Sequence, residues 1–346
     1  MKVRHATAVV LAGAALAAAC TGSGDETPEG GNAGTPPATD AGTPPATDAG
    51  TPPATGPQTP GTGPNGRATA TYQPPPEFDA ERALATVVHL AGEIGPREAT
   101  SPAFHEAADW VTEQFAGLGY EVEQVEVAVP EGDPSYRPEW GTVVEPGTSA
   151  NVIADPPGFD VAAPHVVIGA HLDTVAVAPG AEDNASGVAI VLELARLAAA
   201  TPLPVDVRFV AFGAEEPRGS GDRMHHFGSQ QYVADLPGTD AVTAMVSLDR
   251  VGVAASSVPI CTGGTGSTAV RDALLEVAEG IDIAARSCEN RSSDHWSFEK
   301  ADVPAARLGS VPYAEYHSSR DRPGVVDEEQ LERAGDIVWQ WLVEAA

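Results

Sequence analysis

Positive charge is scarce in this chain: 19 Lys and Arg residues stand against 49 Asp and Glu residues, and the formal net charge is −30. Such an excess of negative charge repels phosphate backbones and anionic lipid headgroups. The composition therefore argues against a nucleic-acid-binding protein and against binding to an acidic lipid surface. It fits a protein that acts on cationic substrates, and equally one that stays soluble outside the cell.

Long apolar stretches are also missing. Residues 6–19 are apolar but too few for a membrane span, and Lys2 and Arg4 precede them, which is typical of a secretory signal. Residues 16–20, Leu-Ala-Ala-Ala-Cys, resemble a bacterial lipobox, in which the cysteine becomes the lipidated first residue. We predict a lipoprotein signal peptide over residues 1–20 and a lipid anchor on Cys20, which would hold the exported protein on the outer face of the bacterial cell membrane. An ordinary signal, with release of a secreted protein, is the alternative.

Large apolar side chains are nearly absent from residues 21–76. The unit Gly-Thr-Pro-Pro-Ala-Thr-Asp-Ala begins at Gly34 and at Gly42, and a partial copy begins at Gly50. Proline fixes φ and removes backbone donors, and a segment without large apolar residues cannot bury a core. We expect a disordered, extended stalk here. The remaining residues, 77–346, have the size of one α/β enzyme domain.

Cysteine is the third scarce residue, with three in the chain. If Cys20 carries a lipid, Cys261 and Cys288 remain as an even pair in an oxidising compartment, where disulfides form and persist. We expect a disulfide between these two residues. Two separate buried thiols are the alternative.

Apolar runs alternate with helical patterns in residues 77–346. Four runs have the composition of strands buried on both faces, namely 165–170, 205–212, 241–248 and 303–308. Two further strands are predicted at 121–129 and 150–154. Helical patterns occur at 77–119 with a break at 95–97, and at 186–200, 228–236, 269–279 and 328–346. This alternation predicts a largely parallel sheet covered by helices on both faces, with its site beyond the carboxyl ends of the strands.

Six residues of metal-ligand type stand near these strand ends: His171, Asp183, Glu215, Glu216, Asp249 and His317. Two histidines and three carboxylates can hold two divalent cations if one carboxylate bridges them, and a free carboxylate can then take a proton from a metal-bound water. The adjacent acids Glu215 and Glu216 would be costly after a buried run without such cations. Asp173, two residues after His171, can accept a hydrogen bond from the imidazole nitrogen not used for metal. The set predicts a metal-dependent hydrolase.

The same residues lie in motifs that resemble the co-catalytic di-zinc aminopeptidase family (clan MH), which includes bacterial secreted aminopeptidases, aminopeptidase Y and relatives of glutamate carboxypeptidase. The matching motifs are Gly95-Pro96-Arg97, 150–154, His171-x-Asp173, 180–187, Glu215-Glu216, Gly228-Ser229-x-x-Tyr232, Ser247-Leu248-Asp249 and Ser293-Asp294-His295. The resemblance implies a three-layer α/β/α sandwich with a mixed, mostly parallel central sheet.

The resemblance also implies two Zn²⁺ ions and a role for each residue. One zinc would be held by His171 and Asp249 and the other by Glu216 and His317, with Asp183 as the bridge. Glu215 would be the general base, and Tyr316 would stabilise the developing oxyanion. Histidine and carboxylate ligands suit zinc, and they also accept cobalt or manganese.

The implied function is a zinc-dependent exopeptidase, an aminopeptidase that hydrolyses N-terminal residues from peptides, and we expect a monomer. Arg250 stands where the family often has Met. At the rim of the side-chain pocket its charge would favour an acidic or polar substrate residue, whereas the alternative points it to solvent or to a nearby acid. We interpret His225 and His226, in the long loop after Glu216, as polar loop residues rather than ligands.

Three other functions are compatible with parts of the pattern. A related di-zinc group carries an inserted dimerisation domain, but the interval between Asp249 and His317 is too short for it. A non-catalytic binding domain on a stalk would have no reason to keep Glu215. Glutaminyl cyclase chemistry on the same fold stays open.

Overall fold

The computed structural model of the protein describes residues 76–344. The predicted signal peptide, the lipidation site Cys20 and the predicted stalk, apart from its last residue, lie outside the described residues. Among the described residues, no helix is long and apolar enough to cross a membrane.

Within residues 76–344, eight strands form one mixed sheet. The strands are β1 (Glu121–Val129), β2 (Gly147–Asp155), β3 (His165–His171), β4 (Asp206–Phe212), β5 (Val242–Asp249), β6 (Val258–Thr262), β7 (Ala285–Glu289) and β8 (Ala305–Gly309). Their order is β1-β2-β4-β3-β5-β8-β6-β7. The central strands β4, β3, β5 and β8 are parallel, β6 is parallel to β7, and the pairs β1/β2, β2/β4 and β6/β8 are antiparallel. The predicted mixed, mostly parallel sheet is therefore confirmed.

Helices cover both faces of this sheet. They are α1 (Ala80–Val87), α2 (Pro102–Gly117), α3 (Ser186–Ala200), α4 (Phe227–Asp235), α5 (Ala269–Gly280), α6 (His295–Glu299) and α7 (Glu328–Glu344). A π-helical segment, Val88–Ile94, continues α1 and ends at Gly95, where φ is +87° and the chain turns before α2. Helix α3 is apolar on nearly all sides because it is buried between the sheet and other helices.

Alternate side chains of the central strands belong to two different cores. Val166 and Ile168 of β3 pack in the larger core, to which α1, α2, α3, α5 and α7 contribute. Val167, between them, packs in the smaller core with Tyr232 of α4 and Phe298 of α6. Side chains point alternately to the two faces of a strand, so one strand can supply both cores. The result is the three-layer α/β/α sandwich expected from the sequence.

Strands β6 and β7 and helix α6 are absent from the sequence-based prediction. Strand β6 contains Pro259, which weakens a strand pattern, and most of β7 is polar and solvent-accessible. A disulfide joins Cys261 of β6 to Cys288 of β7, and these two residues are also direct partners in the strand pairing. The cysteine pair predicted from the sequence thus links the two strands that the apolar pattern missed.

Candidate metal centre

The carboxyl ends of the four central parallel strands deliver the candidate ligands to one edge of the sheet. His171 is the last residue of β3, Asp249 is the last residue of β5, and Glu215 and Glu216 follow β4. His317 lies in the loop after β8. All five residues are less than a tenth exposed, although three of them are acids. The sheet topology therefore places these groups together because parallel strands end on the same side.

The backbone is strained at three positions in or next to the candidate site residues. Ala214, Arg250 and His317 all have positive φ, at 53°, 56° and 49°. Non-glycine residues seldom adopt this left-handed conformation, and it persists where the surrounding structure enforces it, as at functional sites. Each of the three residues is a candidate ligand or is next in sequence to Glu215 or Asp249, so the strain is local to the ligand cluster.

Asp183 lies between the two histidines. Its Oδ1 is 3.2 Å from His171 Nε2, and its Oδ2 is 3.1 Å from His317 Nε2. The carboxylate of Asp321 accepts the N–H groups of Glu182, at 2.9 Å, and of Asp183, at 3.2 Å, and so holds this turn in place. A carboxylate that presents one oxygen to each of two imidazoles has the geometry of a bridging ligand.

The other acids divide between the two sides of Asp183. Glu216 Oε1 lies 3.1 Å from His317 Nε2, and Asp249 Oδ2 lies 3.9 Å from His171 Nε2. The donor atoms of Asp183, Glu216 and His317 lie within 4.8 Å of one another, as do those of His171, Glu215 and Asp249. The structure thus brings all five sequence-predicted ligands, together with Glu215, into one cluster.

The electrostatics of this cluster fit bound cations. Burial raises the pKa of Glu216 to about 7. Burial alone would lower the pKa of His317, but Glu216 and Asp183 raise it to about 10. Oε1 of Glu216 and both ring nitrogens of His317 are buried without a hydrogen-bond partner in residues 76–344. Buried acids without compensation are costly, and imidazole nitrogens with carboxylate oxygens are donors that zinc accepts, so these residues fit zinc.

Asp173 supports the site differently from the sequence-based prediction. His171 Nδ1 lies 3.1 Å from the main-chain carbonyl oxygen of Asp173, whereas the Asp173 carboxylate is 3.7 Å away. That carboxylate instead accepts the N–H groups of Glu215, at 2.9 Å, and Glu216, at 3.0 Å. The predicted acceptor is therefore corrected from the carboxylate to the carbonyl, because two main-chain donors compete for the carboxylate. Asp173 orients both the histidine and the turn that carries the two glutamates.

Comparison with known proteins identifies the family. A family-wide sequence profile described as peptidase family M28 matches residues 151–342, more than half of the chain and a range that includes the whole cluster. The chain belongs to peptidase family M28. Aminopeptidase YwaD of Bacillus subtilis (strain 168) is 33% identical to this M28 chain over 211 residues, which cover 57% of this chain and 45% of YwaD. The chain spans about half the length of the curated relatives it matches.

Solved structures share the fold of this M28 chain. BSAP, a zinc aminopeptidase from Bacillus subtilis, matches with a TM-score of 0.68 at 21% identity, covering 79% of this chain and 96% of that one. Porphyromonas gingivalis glutaminyl cyclase matches with a TM-score of 0.66 at 22% identity, covering 78% and 99%. At these identities the likeness shows the fold, and both chemistries occur on it.

Arg307 is a site residue that the sequence analysis missed. It lies in β8, is fully buried, and its Nη2 is 2.8 Å from Asp249 Oδ1. Its Nη1 donates to the carbonyl of Ser292 and to the side-chain oxygen of Asn290. The contact balances the charge of Asp249 and fixes one of its oxygens. A charged residue inside a run that otherwise reads as buried was the available signal.

Aromatic side chains line a cleft of about 220 Å³ at the candidate metal ligands of this M28 domain. Tyr136 and Trp140, from the segment between β1 and β2, lie on one side, and the Trp140 ring meets the His317 ring edge-on at 4.2 Å. Tyr316 stacks on His317 at 3.7 Å and is 40% exposed. The Arg250 guanidinium lies 4.7 Å from the Tyr316 ring centroid. Tyr316 therefore lines the cleft, and its role as an oxyanion donor stays a prediction.

Glu215 has neighbours that the sequence analysis did not connect with it. His225 and His226 contact its Oε1, while its Oε2 is 4.0 Å from His171 Nε2. Burial alone would raise the pKa of Glu215, but the charges of His225 and His171 hold it well below its ordinary value. Burial lowers the pKa of His225, yet Glu215 raises it above its ordinary value, whereas burial and His225 lower the pKa of His226. Glu215 is thus an ionised carboxylate, able to accept a proton.

Proposed function

We propose that the protein is a zinc-dependent exopeptidase, an aminopeptidase that removes N-terminal residues from peptides with two zinc ions. The observation that carries this proposal is the position of Asp183, with one oxygen at His171 and the other at His317. A bridging carboxylate between two ligand sets is the arrangement that a two-metal hydrolase requires. Membership of peptidase family M28 and the relative named as an aminopeptidase support the same reaction.

The residues of the cluster divide into ligands and a proton acceptor. His171 and Asp249 would hold one zinc ion, Glu216 and His317 the other, and Asp183 both. When bound, the ions would acidify water and polarise the scissile carbonyl, which is the chemistry that amide hydrolysis needs.

Glu215 is the candidate general base because it is ionised and lies beside the ligands. Its Oε2 approaches His171 Nε2 at 4.0 Å, so this oxygen faces the place where the reacting groups would meet. Glu215 would accept a proton from the attacking water and deliver it to the leaving amine. The N–H groups of Glu215 and Glu216 are both held by the Asp173 carboxylate, which keeps the two glutamates in fixed relative positions.

The test compares aminoacyl-nitroanilides with their N-acetylated forms, with and without a chelator. We expect hydrolysis of the free-amine substrates only, loss of activity on chelation and recovery with zinc. Glu215→Ala is expected to lower kcat by about 10² to 10⁴-fold while two zinc ions remain bound. Activity that survives in this variant refutes the general-base assignment.

Two other outcomes would replace the proposal. Cyclisation of peptides with N-terminal glutamine, without hydrolysis, would assign the glutaminyl cyclase reaction that occurs on the same fold. Peptide binding without turnover by the zinc-loaded protein would assign a binding domain.

We also propose that Arg250 selects acidic side chains at the substrate N-terminus. Arg250 lines the cleft, where its Nη2 donates to Ser310 Oγ at 3.2 Å and its Nε lies 3.6 Å from Asp249 Oδ1. The bond to Ser310 is the one side-chain hydrogen bond of this guanidinium in the part of the chain that the structure describes. Its other N–H donors can therefore bind a substrate carboxylate, which matches a guanidinium in geometry.

We propose finally that the protein is exported and anchored through Cys20. The apolar stretch before Cys20 supports this location. The disulfide between Cys261 and Cys288 supports it as well, because such bonds are typical of oxidising compartments. Labelled palmitate should enter the native protein but not Cys20→Ser when both are made in bacteria. Equal labelling of the two proteins would contradict the anchor.

A further inference from the structure

Two histidines converge on the carboxylate of Glu215. Nε2 of His225 lies 3.4 Å and Nε2 of His226 lies 3.2 Å from Glu215 Oε1. The two rings stack with centroids 3.6 Å apart and an interplanar angle of 21°. We call these residues the histidine pair. One oxygen of Glu215 therefore faces the histidine pair, and the other faces His171.

The loop between β4 and α4 is fastened so that the histidine pair meets Glu215. The N–H of His226 donates to the Glu215 carbonyl at 2.8 Å, and the N–H of Phe227 donates to the Ala214 carbonyl at 2.8 Å. The N–H of Arg218 donates to the Met224 carbonyl at 2.8 Å, which closes the loop. The end of the loop is thus bound by its main chain to the turn that carries Glu215.

His226 occupies a position that is costly without a partner. Its φ is +59°, it is 1% exposed, and neither ring nitrogen makes a hydrogen bond in residues 76–344, so that the 3.2 Å approach of Nε2 to Glu215 is an ionic contact. A buried polar side chain without a partner and a left-handed backbone each reduce stability. The contact with Glu215 Oε1 is the polar contact that this ring makes within the described residues.

The stacking of the histidine pair argues against a metal site between these residues and Glu215. Its donor atoms and the Glu215 carboxylate lie within 4.8 Å of one another, as metal ligands do. However, nearly parallel stacked rings direct their nitrogen lone pairs side by side, whereas the tetrahedral ligands of zinc converge on one point. The arrangement fits two imidazoles that face one carboxylate oxygen.

We propose that His226 and His225 are positioning residues for Glu215. They fix Oε1 of the carboxylate so that Oε2 faces the metal ligands, with His226 as the inner contact and His225 as the outer contact that also lines the cleft. This rests on the proposed function, in which Glu215 is the general base. The histidine pair limits rotation of the Glu215 carboxylate. Removal of the pair therefore lowers kcat and leaves KM unchanged.

The first measurement uses the full chain loaded with zinc. His226→Leu is expected to lower kcat by about 10- to 100-fold, the range for groups that orient a site side chain, with KM and the two bound zinc ions unchanged. His226→Gln, whose amide can return an N–H near the position of Nε2, is expected to recover most of this loss. His89→Leu is the control and is expected to leave kcat unchanged, because this partly buried histidine contacts Glu93 and Trp110 and no residue of the cluster. His225→Leu is expected to show the same pattern with a smaller loss, and it replaces His226→Leu if that variant does not fold.

The second measurement places His226→Leu in the Glu215→Ala background. Because the histidine acts through Glu215, we expect no further loss in the double variant. Multiplied losses, loss of zinc from His226→Leu, or full activity of both His226→Leu and His225→Leu would overturn the positioning role. Undiminished activity of Glu215→Ala alone would instead overturn the proposed function, so the two failures are distinguishable.

Discussion

The replacement Arg97→Met tests how the loops that carry the candidate ligands are held. Arg97 is completely buried, and its guanidinium donates to five main-chain carbonyls at 2.7 to 3.1 Å, those of Leu90, Gly95, Leu172, Pro179 and Gly180. Leu172 follows His171, and Gly180 precedes the turn that carries Asp183. One side chain therefore joins the segments of two candidate ligands to the turn after α1.

The expected loss of stability follows from these contacts. The carbonyls of Leu90 and Gly180 keep main-chain partners, whereas residues 76–344 offer no other partner to those of Gly95, Leu172 and Pro179. At about 1–3 kcal/mol for each unsatisfied buried group, the carbonyls of Leu172 and Pro179 cost about 2–6 kcal/mol, and the part-buried carbonyl of Gly95 adds about 1 kcal/mol or less. Burial lowers the pKa of the Arg97 guanidinium to about 10, so it is charged at pH 7, and removing that buried charge returns several kcal/mol. We expect Arg97→Met to lower the free energy of unfolding by about 3 kcal/mol.

The assay is urea unfolding at pH 7 in the presence of a chelator, so that zinc binding does not add to the stability. Arg82→Met is the matched control, because the Arg82 side chain is 63% exposed and its nearest acids are 3.9 Å away. The control should change the free energy of unfolding by less than about 1 kcal/mol. Zinc affinity of Arg97→Met should fall by about 10- to 100-fold, since the loops of His171 and Asp183 lose their common anchor. A loss no larger than that of Arg82→Met would refute this account of Arg97.

Three further changes have expected outcomes. Arg250→Met should lower kcat/KM for glutamyl and aspartyl substrates by about 10- to 100-fold relative to leucyl substrates, and equal or faster leucyl cleavage by the unaltered protein would remove the idea. Cys261→Ala with Cys288→Ala, which opens a bridge across 27 residues, should cost about 3–4 kcal/mol in chemical unfolding, and reduction of the native protein with no change in midpoint would contradict this. Burial and Arg307 lower the pKa of His295 from 6.5 to about 3. Between these two pH values the histidine is protonated in the unfolded chain and neutral in the folded one, so the free energy of unfolding falls as the pH drops from 6.5 towards 3. His295→Gln should remove up to about 1.4 kcal/mol per pH unit of that slope, measured by urea unfolding at pH 7 and pH 5, and an unaltered slope would count against it.

The sequence predicts the elements that have a regular hydrophobic period and the site residues that stand at the ends of such elements. Strand β1 has the bounds predicted from its alternating valines, and helix α3 has the bounds predicted from its apolar run. Both predictions succeed because each pattern continues over the whole length of its element. His171 and Asp249 end apolar runs, Asp183 stands in the turn before an apolar helix, and in a parallel sheet residues at the ends of such runs share one edge. Motif spacing and topology are therefore enough to bring His171, Asp183 and Asp249 together.

The parts that escape sequence analysis depend on contacts between distant segments. The partners of Arg97 and Arg307 are main-chain carbonyls and an acid from distant segments, which no local pattern identifies. Strand β7 is held by pairing and by the disulfide rather than by its own apolar pattern. His225 and His226 look like loop residues because the fold of the loop back onto Glu215 leaves no periodic signal.

The same contacts separate the roles of the two adjacent glutamates. Glu216 directs Oε1 at His317 and has no hydrogen-bond partner for that atom in the described chain, which leaves it open to a metal. Glu215 has one oxygen held by the histidine pair and the other directed towards His171, so it can exchange a proton without leaving its place. The two residues are of the same type and adjacent in the sequence, so only their contacts in the fold distinguish them. In the proposed mechanism the loop that carries the histidine pair sets the division between ligand and base, so replacing His226 should lower kcat and leave zinc binding unchanged.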